Sequence, residues 1–240
     1  MLIYLDTAWP QDGGNEKMKK CLLIGCSNGL HIHEDFSKVF GSEDVEWINL
    51  SGGGFGNRYI TARLFEYVDD VGIPDYVYLQ YSGLSRIDLP LDLKVTVRDY
   101  QYQIKTNRIN WVASGGRNGS WMNCDMLKRT FAFMYDITSE KNYHYDLSLH
   151  EIFRGLELCK TLGIQYNWSS YYDYTNPLND ITRIDGVVDR LPDYIDMSNH
   201  VGKSPLNLAY EIGDVPSDGC HYSRSVGEQF ITRNKNKFNL

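Results

Sequence analysis

The stretch Lys19-Lys20-Cys21-Leu22-Leu23-Ile24-Gly25-Cys26-Ser27-Asn28-Gly29 decides the fold. Its apolar run, Cys21 to Ile24, stops at a glycine, which is how a short buried strand feeding a sharp turn is written. The pattern recurs twice. A second strand over 45–50 runs into Ser51-Gly52-Gly53-Gly54-Phe55-Gly56-Asn57, and a third over 76–81 follows Pro74-Asp75. Between these strands the apolar spacing turns helical, loosely over 30–40 and then at i, i+4, i+8 through Ile60, Leu64 and Val68 over 58–68. Three strand-loop-helix units in a row predict a parallel sheet with helices on its faces, an α/β sandwich of three layers.

Residues 86–123 break that rhythm. The alternation of Leu91, Leu93, Val95 and Val97 and the turn signal Ser114-Gly115-Gly116 predict an inserted hairpin or lid. Two helices follow, over 124–137 and 146–162; the second carries Leu149, Ile152, Phe153 and Leu156 on a broad apolar face and is stopped by Gly163. A fourth strand spans 164–168. The chain to 215 reads as loop with short helical pieces, a last helix opens at His221 and runs to about Asn234, and Lys235-Asn236-Lys237 reads as a solvated tail. Met18 looks like a natural beginning, so 1–17 is read as an extension and 18–240 as one domain.

A chain of 240 residues with 42% hydrophobic content has enough apolar material for a core of its own. Its net charge of −7 argues against a nucleic-acid partner, whose affinity comes from clustered Lys and Arg. A neutral, sugar-like small molecule fits better. Five cysteines without a C-x-x-C pair indicate neither a disulfide framework nor a zinc site. No stretch nears the roughly 20 apolar residues of a membrane span, and Met1-Leu2-Ile3-Tyr4-Leu5 runs at once into Asp6 and Pro10, unlike an export signal. Cytoplasmic synthesis, with no membrane partner, is the expectation.

The chemistry sits in two places. In Asp218-Gly219-Cys220-His221 an acid three residues before a histidine orients the imidazole as a base, and Ser27, on a tight turn, is the nucleophile such a base activates. The bland alternative for Ser27 is an N-cap of the next helix. Gly25-x-Ser27-x-Gly29 also matches the nucleophile elbow of α/β-hydrolases, but that elbow follows several strands and this serine follows the first. His31 and His33, at i and i+2, diverge by about 200° on a helix and do not share an ion, and the cluster His144, His150, Glu151 lacks ligand spacing. No metal or cofactor is assigned; His31, His33, Glu34 and Asp35 read as a solvated face. Most of the 18 tyrosines read as core, with a ligand role for some aromatics over 166–174.

From about Lys19 onward the sequence resembles the SGNH (GDSL-like) hydrolase family. Gly25-Cys26-Ser27 is similar to its first block except for Cys in place of Asp, residues 49–60 resemble its second block with Gly54 as the oxyanion donor, and Asp218 and His221 match its D-x-x-H. The third block lacks the family's asparagine; residues 74–86 resemble a divergent version found in phage-encoded and some bacterial members. The resemblance implies a flavodoxin-like sandwich and a Ser27-His221-Asp218 triad acting without cofactor. Its oxyanion hole would be formed by the amides of Ser27 and Gly54, with Gly52 or Gly53 as alternatives to Gly54. Ser82, Ser85 or Arg86 would stand in for the missing donor, whose loss costs on the order of 10²–10³ in rate. Arg86 is the choice, against the alternative that it pairs with a surface carboxylate such as Asp88.

Two functions follow. The first is a serine esterase removing an O-acyl group from a carbohydrate or other small ester. The second is a structural or receptor-binding protein of a phage particle that keeps the fold as a scaffold, with other virion proteins or further copies of the chain as partners.

Overall fold

The computed structural model describes residues 18–84, 86–94, 103–114, 125–139, 143–170, 193–202, 204–214, 222–238 and 240. In chain order its elements are β1 (Lys19–Gly25), α1 (Ser27–Phe40), β2 (Val45–Asn49), α2 (Asn57–Asp70), β3 (Tyr76–Tyr81), β4 (Asp88–Leu91), β5 (Gln103–Lys105) and β6 (Asn110–Ala113). They continue with α3 (Asp125–Ser139), α4 (Tyr143–Leu162), β7 (Gln165–Ser170), α5 (Pro205–Glu211), α6 (Arg224–Arg233) and a 3-10 turn (Lys235–Lys237). Four strands, all parallel, make the central sheet in the order β2-β1-β3-β7.

Strand alternation assigns the two cores. Leu22 and Ile24 of β1, Val77, Leu79 and Tyr81 of β3, and Tyr166 and Trp168 of β7 point to one face, where α2 and α4 cover them with Ile60, Leu64, Ile152 and Leu156. Cys21, Leu23, Tyr76 and Tyr78 point to the other, under Ile32 and Phe36 of α1, Leu208 of α5, and Val226 and Phe230 of α6. The second face is partly polar. Tyr76 donates to Asn167 Oδ1 at 3.1 Å, and Tyr78 shares a 2.6 Å hydrogen bond with Ser169, so each phenol driven into the core by the strand period finds a partner on β7.

Within the segment read as an insertion, β4, β6 and β5 form a small antiparallel sheet in that order. It is tied to α2 by buried groups: Trp111 Nε1 and Thr106 Oγ1 both donate to Glu66, which also pairs with Arg63. A second tie is Asp88, buried at the start of β4. Its carboxylate accepts from the Gly56 and Tyr59 amides at 2.7 and 2.9 Å and so caps α2 from a different segment. Desolvation pushes the Asp88 carboxyl up to about 6 against the lowering effect of those two bonds and of Arg86 and Arg58.

Lys235, Asn236 and Lys237 are exposed, as expected of a solvated tail, but the segment is tied down and the next residue is buried. Lys237 gives its ammonium to the Val201 carbonyl at 3.0 Å, its own carbonyl accepts from Asn167 at 2.9 Å, and Phe238 lies buried edge-on against Phe36 and Phe40. Two charged side chains in three residues conceal a chain pinned between them. Asp35 departs from the solvated face expected of it. It is 1% exposed and lies against Gly227 of α6, where a methyl would come within 2.4 Å of its Oδ2.

Burial raises the Asp35 pKa, as does Glu228 on α6, while Lys38, 3.8 Å away on its own helix, lowers it; Tyr222 is the other ionisable group beside it. Between the unfolded carboxyl value and this raised folded value the native chain holds a proton that the unfolded chain has released. Asp35 therefore costs stability as pH rises through that window, and the cost is complete above it. Asp35→Asn is expected to raise the melting temperature at pH 8 by roughly 2–4 °C, with the gain shrinking toward pH 4. Circular-dichroism melts at the two pH values check this, and a gain equal at both would show that no ionised carboxylate is buried there.

Candidate active site

Strand order places the candidate site. β2 lies on one side of β1 and β3 on the other, so the winding direction switches at β1. The loops leaving the carboxyl ends of these strands flank the crevice where open α/β sheets bind ligands. Ser27 leaves β1 here as the first residue of α1. The residue in the N-cap position is Cys26, fully buried and without a side-chain capping bond, so the capping role weighed for Ser27 is not the one it holds. The Gly29 amide reaches the Cys26 carbonyl at 2.9 Å and closes the turn. Ser27 is thereby set in the first turn, at the positive end of α1.

The loop after β2 is stitched beside that turn. The Leu50 amide donates to Leu23 and the Gly52 amide to Gly25, at 2.8 and 2.9 Å, prolonging the β1–β2 ladder past the end of β2. This spends the Gly52 amide and removes it as an oxyanion donor. A methyl at Gly52 would also meet Phe55, Ile104 and Tyr59 at 2.7 to 3.0 Å, so the small sheet leans on this loop through Ile104 of β5. Gly54 is buried with φ of 80°, a left-handed conformation that favours glycine. A methyl at Gly53 would meet Leu30 at an ordinary 3.8 Å, so this position tolerates a side chain.

The loop after β3 is held from α2. Ser82 is buried and its amide donates to Asn57 Oδ1 at 2.7 Å, while Asn57 Nδ2 donates to Ser148 on α4 at 2.8 Å. Asn57 thus joins three elements through its two ends. Arg86 is half-buried and donates to the Phe55 carbonyl at 3.3 Å, linking this loop to the glycine loop after β2. Asp88, offered above as a surface partner for Arg86, is buried and caps α2, and Arg86 acts on its carboxylate electrostatically. Ser85, Asp218 and His221 lie outside the described residues.

Tyr222, next in the chain to His221, is described and buried. Its hydroxyl accepts from Gln80 Nε2 at 3.3 Å, and Gln80 stands opposite Gly25 in the β1–β3 pairing. Sequence reasoning passed over Gln80, Tyr222, Ser51 and Asn57. The signal for Gln80 was available: one amide in the strand Tyr76–Tyr81, buried along its whole length, is a polar group that needs a reason.

Other candidates resolve into structure. His33 Nε2 lies 3.3 Å from the Trp47 carbonyl oxygen, tying α1 to β2, and Glu34 pairs with Arg224 of α6. Tyr166 and Trp168 are core residues, whereas 171–174 lie outside the described residues. Among the described residues no three His, Cys, Asp or Glu side chains come together as metal ligands, and no helix is long and apolar enough to cross a membrane.

The glycines of Gly25-x-Ser27-x-Gly29 now have a physical reason. A methyl at Gly25 would come within 3.0 Å of Gln80 Cβ, and one at Gly29 within 2.6 Å of Ser51 Oγ. Side chains from both neighbouring segments press on the serine turn. Gly29→Ala is expected to cost about 1–3 kcal/mol by overpacking, and clearly less in a Ser51→Ala background, where the nearest atom is gone. Urea denaturation of the four-member cycle checks this; equal costs in both backgrounds would mean that Ser51 is not what excludes the methyl.

No family model matches the chain, and no curated protein sequence does. Among solved structures it is similar to the psychrotrophic esterase EstA from Pseudoalteromonas sp., at 11% identity and a TM-score of 0.47 over 91% of this chain and 97% of that one. The acetyl xylan esterase AlAXEase aligns at 13% identity and 0.43 over 92% and 100%. LAE5, an alpha/beta hydrolase enzyme from the metagenome of Lake Arreo, Spain, aligns at 14% and 0.47 over 93% and 98%.

Proposed function

We propose that the chain is a serine esterase of SGNH type that removes an O-acyl group from a carbohydrate or another small ester. The observation that carries this reading is the position of Ser27. It opens α1 directly after β1, at the switch in winding direction, with the Gly52–Gly54 loop bonded alongside and Tyr222 anchored to Gln80 opposite Gly25.

In this reading Ser27 Oγ attacks the ester carbonyl while His221 takes its proton. The tetrahedral oxyanion is held by the Ser27 and Gly54 amides at the positive end of α1. On collapse His221 returns the proton to the departing alcohol, leaving an acyl group on Ser27. Water, deprotonated by His221, then releases the acid and restores the serine. Asp218 orients the imidazole and stabilises its charged form. The loop after β3 supplies the rest: Ser85 and Arg86 would face the substrate, with Arg86 in place of the family's asparagine because a guanidinium donates strongly to an anionic oxygen, while Ser82, fully buried, holds the loop through its amide bond to Asn57.

That same loop favours the second reading. With Ser82 buried and its amide committed to Asn57, the block most altered from the SGNH pattern is also firmly built into the frame, as suits a virion scaffold that has lost catalysis.

The purified chain is expected to react with a fluorophosphonate probe and to hydrolyse p-nitrophenyl acetate, with both lost in Ser27→Ala. Asp218→Asn is expected to keep the fold and to lower turnover by about 10⁴, because the amide holds the wrong imidazole tautomer. A panel of acetylated sugars identifies the alcohol. An inert wild-type protein would sink the esterase and leave the scaffold.

A further inference from the structure

Gln80 is 1% exposed, and of its two amide ends only Nε2 is matched, to Tyr222. Its Oε1 has no hydrogen-bond partner among the described residues. It lies where a methyl at Gly25 or Gly29 would come within 3.4 and 3.5 Å of it, so the side chain runs along the inside of the serine turn. A buried carbonyl oxygen without a partner costs about 1–3 kcal/mol, which a leucine at this position would not. Packing therefore does not account for a glutamine here. What the amide does is connect: one side chain spans from β3, past the glycines on either side of Ser27, to the residue that follows His221.

We infer that Gln80 is a positioning residue, which sets the serine turn and the segment entering α6 at a fixed distance by occupying the gap between Gly25 and Gly29 and bonding the Tyr222 hydroxyl. The inference rests on the esterase reading above and adds to it a group that touches neither substrate nor reacting atoms. Tyr222 stays a neutral phenol throughout the working range, since burial raises its pKa more than the Gln80 bond lowers it; among the described residues Tyr78, Cys26 and Asp35 are the ionisable groups acting on it. The link itself does not titrate, so a change in pH profile on cutting it reports the base and not the link.

The test is a cycle of Gln80→Leu, Tyr222→Phe and the double variant, read by fluorophosphonate labelling of Ser27 and by kcat, KM and the pH midpoint of p-nitrophenyl acetate hydrolysis. Each single variant is expected to lose roughly 10- to 100-fold in labelling rate and kcat, the scale of a small misplacement of reacting groups. KM is expected to hold, and the midpoint to move from its wild-type position. The double variant is expected to lose no more than either single one. Tyr222→Phe removes one oxygen and keeps the ring, so its melting curve controls for folding. Singles with wild-type kcat and midpoint, or losses that multiply in the double variant, would overturn the inference while leaving the esterase standing. A wild-type chain that the probe does not label would overturn both together.

Discussion

The parallel pairing of β1 with β3 is the constraint on which the other features hang. Its register puts Gly25 opposite Gln80, and that single pairing fixes three things. It sends Leu22 and Ile24 to one core and Cys21 and Leu23 to the other, because a slip of one residue would exchange the faces. It brings the end of β1 level with the end of β3, so that the turn bearing Ser27 and the loop bearing Ser82 leave the sheet together. And it requires glycine at position 25, where β3 already fills the space a side chain would need.

Around this pairing the frame is held by a few buried polar ties more than by its surface charges. Arg108 with Asp69 and Asp70, and Arg154 with Glu151, are exposed pairs worth at most a few tenths to 1 kcal/mol each. Asp88, Asn57 and Glu66 instead sit between elements that nothing in the local chain would bring together. The two helices that begin beside the crevice differ accordingly. The first turn of α2 receives a carboxylate from β4, whereas Cys26, at the head of α1, offers no side-chain acceptor.

What the sequence made legible was whatever rests on periodicity and glycine punctuation. Strand Tyr76–Tyr81 is read to the residue, because an apolar run after Pro74-Asp75 leaves little latitude, and the helix over 58–68 is found within two residues at each end. The start of α1 is misplaced from 27 to 30 because its cap is Cys26, a residue outside the usual capping set. The short helix α5 falls in the stretch read as loop with short helical pieces but is not placed there, although Ser204 before Pro205 is a fair cap signal; the hydroxyl indeed accepts from Asn207 at 3.1 Å. Asp88 and Asp35 are misread for one shared reason. A lone acid looks exposed until the backbone amides or the glycine facing it are known, and these lie 29 to 32 residues away for Asp88 and across a helix seam for Asp35. The Ser27 turn is legible as a motif; the Gln80 and Ser51 side chains that press on its glycines are legible only in three dimensions.

The closure of the α1 face by Phe238 bears on how the chain comes to be folded during its synthesis. Phe36 and Phe40 are made early, yet the ring that packs against both arrives some two hundred residues later, and the Lys237 carbonyl that Asn167 requires arrives with it. Until then the aromatic cluster on that side of the sheet stays open to solvent on the ribosome, exposed to the non-native contacts that trap slow, long-range topologies. The opposite face, closed by α2 and α4, has all its parts only once Ile195 has emerged, still some forty residues before Phe238. In order of synthesis, the layer bearing Ser27 is thus the last whose parts are all made.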